Sequence, residues 1–142
     1  MNLTLTGSGS GSTLSNGSGS YQFSGASGGS YTVTPTKAAL IPGSSGINAV
    51  DVITVQRHFL GIALIPPGCR LTAADVNGDG GINATDVLAI QRFVLGFSTG
   101  TANVGTYKFS PTNRTYSNIQ ANQTNQNYDA LIFGDVASPF VY

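Results

Sequence analysis

Apolar and polar residues alternate toward both ends of the chain and recur at helical spacing in its middle. Leu3/Leu5, Tyr21/Phe23 and Tyr31/Val33 stand two apart, separated by Gly/Ser runs at 7–12, 16–20 and 25–30. This period predicts short antiparallel strands joined by tight turns, with Thr4, Thr6, Thr32 and Thr34 on the wetted face. The Gly/Ser stretches read as loop tips rather than a flexible linker, because aromatic pairs keep returning between them. Alternation resumes at Tyr107/Phe109, continues through 114–119 and returns at Leu131/Phe133. Between these stretches, Val52, Val55, Phe59 and Leu60 follow helical spacing, as do Val87, Ile90, Val94 and Leu95. Each run stops at a glycine, Gly61 or Gly96, as a helix C-terminus does.

The middle of the chain is a duplication. Gly46-Ile47-Asn48-Ala49-Val50-Asp51-Val52 returns 35 residues later as Gly81-Ile82-Asn83-Ala84-Thr85-Asp86-Val87. Gln56-Arg57 and Leu60-Gly61 return as Gln91-Arg92 and Leu95-Gly96. A loop and helix repeated at fixed spacing is a supersecondary unit, here joined through Pro66-Pro67 and a short segment from Leu71 to Asp75.

Residues 75–86 carry the strongest chemistry. Asp75, Asn77, Asp79, Asn83 and Asp86 place oxygen-bearing side chains at loop positions 1, 3, 5, 9 and 12. Gly80 stands at position 6, where an EF-hand-type loop turns sharply, and Gly81 at position 7 offers its carbonyl. Calcium takes six to eight hard oxygen ligands, which this set supplies. The first repeat is poorer. With Asp51 aligned on Asp86, Leu40, Pro42 and Ser44 fall where the second repeat has Asp75, Asn77 and Asp79. Ser44, the Gly46 carbonyl, Asn48 and Asp51 form a second, weaker candidate site, since fewer carboxylates lower calcium affinity. The competing reading is that Ser44 and Asn48 close the turn, with Asn48 capping a helix over 48–60.

On these motifs residues 40–96 resemble a dockerin-type module, a pair of F-hand repeats that docks onto cohesin domains in extracellular assemblies. The resemblance implies a calcium cofactor and a protein partner. It also implies a docking face built from loop positions 10 and 11 and from residues one to two helical turns further on. Here that face is Ala49, Val50, Gln56 and Arg57, with Ala84, Thr85, Gln91 and Arg92. The flanks resemble a second family. Gly29-Ser30-Tyr31-Thr32-Val33-Thr34-Pro35-Thr36-Lys37 and Tyr107-Lys108-Phe109-Ser110-Pro111-Thr112-Asn113-Arg114-Thr115 are similar to transthyretin-like, carboxypeptidase-regulatory-like and collagen-adhesin B-type sandwiches. The expected fold is therefore α+β. Residues 1–38 and 99–142 form one antiparallel β-sandwich of about seven strands, interrupted at a loop by an all-α calcium-binding unit over 39–98.

Composition narrows the setting. Charged residues make up 8% of the chain, six basic against six acidic, and every acid is aspartate. That is far below the roughly 25% of ordinary soluble domains and leaves no cationic face for nucleic acid. A calcium-organised, nearly uncharged chain suits a secreted or cell-surface, bacterial-type protein. No run is apolar enough to span a membrane. No leader-like segment is present, and Met1 is expected to replace a trimmed leader or upstream domains. Cys69 is the single cysteine, expected to be a buried apolar filler.

Catalytic readings find little support. Gly25-Ala26-Ser27-Gly28-Gly29 has nucleophile-elbow spacing but lies among hairpins, and His58 belongs to the helical unit. Of the aspartates only Asp129 and Asp135 lie outside the candidate loops, and Asp135 reads as a turn residue closing the last strand. Zinc lacks a Cys/His cluster. Lys37 and Lys108 are the lysines available for a Lys-Asn isopeptide bond, which would need an aspartate as its neutral acid. The chain therefore reads as non-enzymatic, an extracellular calcium-binding interaction module. One alternative is a self-assembling subunit or repeat of a surface fibre or adhesin, with a neighbouring copy as partner. A weaker one is a carbohydrate-binding accessory using Tyr107, Tyr116 and Tyr128.

Overall fold

A computed structural model describes residues 1–137. Its elements in chain order are β1 (Asn2–Gly7), β2 (Gly11–Leu14), β3 (Tyr31–Thr36), α1 (Ala49–Phe59), α2 (Cys69–Ala74), α3 (Ala84–Val94), β4 (Tyr107–Ser110), β5 (Arg114–Tyr116) and β6 (Asp129–Ile132). Two antiparallel sheets and three helices make an α+β fold, consistent with a β-sandwich carrying an inserted helical unit. One sheet has the order β2-β1-β3-β5 and the other pairs β4 with β6. The chain divides into two compact units. The first takes Met1–Lys37 and Phe109–Ala130; the second takes Ala38–Lys108 and the described residues from Leu131 onward. The helical unit thus includes residues 99–108 and 131–137, more chain than the span 39–98 expected from the repeats.

In the first unit the strand alternation does what the sequence implies. Leu3 and Leu5 of β1 point inward with Tyr31 and Val33 of β3, and all four are buried. Opposite them on the ladder, Thr4 pairs with Thr34 and Thr6 with Thr32 on the wetter face. Two expectations need correction. Tyr21-Gln22-Phe23 is not a strand; its rings instead pack as a lid on the Leu3/Val33 core. A strand forms at Gly11–Leu14, overlapping a run expected to turn, because β1 offers a free edge from Asn2 to Leu5. Six strands are therefore described rather than about seven.

Tyr128 locks this unit. Its hydroxyl donates to the Val33 carbonyl at 2.9 Å, and Arg114 lies over its ring at 5.5 Å. Burial, reinforced by the neighbouring phenols of Tyr21 and Tyr116, pushes the Tyr128 hydroxyl up to about 12. A raised pKa means the stabilisation is complete below the unfolded value near 10 and is lost as pH climbs through about 12. Tyr128→Phe should cost about 1 kcal/mol at neutral pH, the net worth of one hydrogen bond. It should also flatten the alkaline loss of stability, as measured by denaturant titrations across that window. An unchanged alkaline profile would remove Tyr128 as its source.

The second unit has its own core. Val55 of α1 and Ile90 of α3, equivalent positions of the duplication, are both fully buried, and the two helices pack against each other. Phe93, Val76, Val104, Leu131 and Val136 complete the cluster. The helix starts are set locally. Asn48 accepts the Val50 N–H and Asp51 accepts the Asn48 N–H, a capping box that recurs with Asn83, Thr85 and Asp86. The ends are set by Gly61 and Gly96, both with positive φ beyond the last turn. Not every apolar position of the repeats is core: Phe59, Leu60 and Leu95 are 45%, 55% and 66% exposed. Cys69 is exposed as well, at the start of the short α2, and so is not the buried filler expected from its chemistry.

Candidate metal loop and docking face

The 75–86 loop is folded by its own side chains. Asp75 Oδ1 accepts the Gly78 N–H at 2.8 Å and Oδ2 accepts the Gly80 N–H at 3.0 Å. Asn77 Oδ1 takes the Asp79 N–H at 3.0 Å, and Asp79 Oδ1 takes the Gly81 N–H at 2.9 Å. These nested turns bend the chain back on itself, and Gly80 supplies the required positive φ of 88°. The Asn77 and Asn83 amides reach Asp79 Oδ2 at 2.8 and 3.1 Å, so positions 3, 5 and 9 converge. The Gly81 N–H, then Asn77 and Asn83, hold the Asp79 carboxyl below the usual carboxylate range and keep it ionised.

Asp86 closes the loop from a fully buried position. Its Oδ2 accepts the Asn83 N–H at 3.0 Å, and its Oδ1 accepts those of Val76 and Asn77 at 3.0 and 3.3 Å. Among the described residues no group of three Asp, Glu, His or Cys side chains gathers round one point. The convergent donors are instead mixed, with amides between carboxylates. The Asn77 and Asn83 amides turn their nitrogens to Asp79 Oδ2 and their oxygens to the Asp79 and Thr85 N–H groups, so these side chains bring carboxylate and amide oxygens, the hard class that calcium takes, into one short loop.

The first repeat is built differently at its entrance. Leu40, aligned with Asp75, packs against the core and donates its N–H to Gly105. The Ser44 hydroxyl is buried and finds no hydrogen-bond partner among the described residues. Gly46 and Asn48 are exposed, and Asn48 caps α1. Asp51 is fully buried, and its Oδ1 accepts the Val136 and Ala137 N–H groups, each at 2.8 Å. Sequence reasoning missed that last contact, for its partners lie 85 and 86 residues away.

The eight residues singled out for docking, Ala49, Val50, Gln56, Arg57, Ala84, Thr85, Gln91 and Arg92, are all exposed. Ile53 and Leu88, equivalent by the duplication, are also exposed at 50% and 49%, and so are Leu60 and Leu95. The signal that could have found them is the 35-residue echo itself, which pairs Ile53 with Leu88 as it pairs Arg57 with Arg92. His58 Nδ1 accepts the Ile65 N–H at 2.9 Å and pins the chain after α1. Tyr107, Tyr116 and Tyr128 are each half-buried, and the Tyr116 and Tyr128 hydroxyls are engaged within the chain.

Paired loop–helix repeats, each with an aspartate at the last loop position and a capping box, define the helical unit as a duplicated loop–helix module. Residues 42–95 match the profile of the dockerin type I domain, so the chain carries a dockerin-type domain within a β-sheet region. That family consists of non-catalytic protein–protein interaction modules whose implied partner is a cohesin-type protein. No curated protein and no solved structure matches the chain. No helix among the described residues is long and apolar enough to cross a membrane.

Proposed function

We propose that this chain is a secreted or cell-surface adaptor whose dockerin-type unit, ordered by calcium at Asp75, Asn77, Asp79, Gly81, Asn83 and Asp86, docks onto a cohesin-like domain. The observation that carries the reading is the nested turn geometry of the 75–86 loop, which gathers the side chains of positions 3 and 9 round the carboxylate of position 5. Calcium binding then stabilises the folded unit by mass action, because the unfolded chain has no preformed site. The near absence of charge and the lack of glutamate agree with life outside the cell, where calcium is abundant.

Docking uses the exposed outer stripe of α1 and α3. Arg57 and Arg92 supply charge and Val50, Ile53 and Leu88 supply apolar area, a pairing suited to interface anchors. The test is titration of the whole chain against a panel of cohesin-like domains, in calcium and after chelation. Binding in calcium should weaken at least about tenfold in the Arg57→Ala/Arg92→Ala double variant, which is ~1.4 kcal/mol. Chelation should abolish it and speed hydrogen exchange across residues 40–96. Unchanged exchange would remove calcium from the reading, and unchanged affinity would move the docking face elsewhere. Assembly of the pure chain, seen by light scattering, would turn the reading toward a self-associating fibre subunit.

A further inference from the structure

We propose that Asp135 supplies the first position of the first repeat's loop, so that its cation site is assembled from two distant stretches, residues 44–51 and 135–137. The inference rests on the calcium reading above and extends it to a residue outside both repeats. The second loop provides the pattern to match. There Asp86 takes the Asn83 N–H on one oxygen, and on the other the N–H groups of Val76 and Asn77, the two residues after Asp75. In the first repeat Asp51 takes the Asn48 N–H on Oδ2 at 2.9 Å. On Oδ1 it takes those of Val136 and Ala137, the two residues after Asp135.

The likeness extends to the neighbours. Val76 and Val136 are both fully buried in the same core. The carbonyl of each accepts from a side chain, Asn103 Nδ2 at 2.9 Å for Val76 and Arg70 Nε at 2.6 Å for Val136. The two Asp-Val segments also adjoin, since Gly134 donates its N–H to the Ala73 carbonyl at 2.8 Å. Asp135-Val136 therefore stands to Asp51 as Asp75-Val76 stands to Asp86.

The residues that precede Ser44 in the chain, Leu40 to Gly43, bring no side-chain oxygen to this place. Leu40 bonds Gly105, and Gly43 donates to the Phe93 carbonyl at 2.8 Å. The assembled donor set is the Asp135 carboxylate, Ser44 Oγ, the Gly46 carbonyl, Asn48 and Asp51. The buried Ser44 hydroxyl, without a hydrogen-bond partner among the described residues, is an oxygen that a cation would satisfy. Position 3 is now Ala137, which has no side-chain oxygen. Two carboxylates in place of three make this the weaker site.

Calorimetric titration of the full chain with calcium alone tests the assignment, with circular dichroism confirming that each variant is folded. Wild type should bind two ions of unequal affinity. Asp135→Asn should lose the weaker ion and keep the tighter, whereas Asp75→Asn should do the reverse. Ser44→Ala, a milder change, should weaken the same ion as Asp135→Asn several-fold, and decides the matter if Asp135→Asn fails to fold. An unchanged two-ion isotherm in Asp135→Asn, or a wild type with one ion that Asp75→Asn removes, overturns this inference and leaves the calcium reading standing. A wild type that binds no calcium overturns both.

Discussion

Asp86→Ala is expected to unfold the helical unit with a loss on the order of 3 kcal/mol or more, even with no calcium present. The carboxylate is fully buried and accepts three backbone N–H groups, from Asn83, Val76 and Asn77. Removing it strands those donors, and each unpaired buried polar group costs about 1–3 kcal/mol. Alanine also opens a void and breaks the capping box of α3. Against a total stability of about 5–15 kcal/mol this is a large share. Asn83→Ala removes the N-cap acceptor and an exposed amide contact to Asp79, and should cost about 1 kcal/mol. Denaturant unfolding in chelator, read by a probe in the helical unit, separates this scaffold role from ion binding. An Asp86→Ala variant within about 1 kcal/mol of wild type would show that the three N–H groups find water instead.

Phe93→Ala should be comparably severe, at about 3–5 kcal/mol. The ring is 1% exposed and packs in the cluster with Ala89, Ile90, Val104 and Leu131. Deleting it leaves a cavity walled by both helical residues and the later chain, which have little room to collapse. Phe59→Ala is the control. Its ring is 45% exposed, so its loss should stay within about 0.5 kcal/mol. Thermal unfolding of the pair measures the contrast, and equal shifts would refute the assignment of Phe93 as the centre of the core.

That contrast also shows what periodicity could and could not reveal. Helical spacing placed Phe59 and Leu60 in the seam, yet the duplication sets Phe93 opposite His58, not opposite Phe59. The repeat differs at this position, with a histidine that takes the Ile65 N–H in the first helix and a fully buried phenylalanine in the second. The sharp turn of residues 75–86 was legible because its chemistry is local: side chains two to five residues apart fold it. The capping of α1 by Asn48 was legible for the same reason. Tyr21-Gln22-Phe23 was misread because alternation says which way side chains point, not whether a neighbouring strand is there to pair. The contact of Asp51 with Val136 and Ala137 was out of reach, since a two-residue Asp-Val echo is too short to stand out.

Neither unit is written as one continuous stretch of sequence, and this sets the order in which a growing chain can fold. Emerging from the ribosome, the chain delivers both repeats before residue 109, yet the stretch that satisfies Asp51 comes only after β6. The sheet unit gains its closing aromatic, Tyr128, earlier than that. The helical unit, whose greater part precedes the second half of the sheet unit, thus gains its last contacts to Asp51 only when residues 136 and 137 arrive. Contacts spanning so much chain favour slow, late docking over early local collapse. Maturation of the first repeat is timed by translation of a segment that its own sequence does not contain.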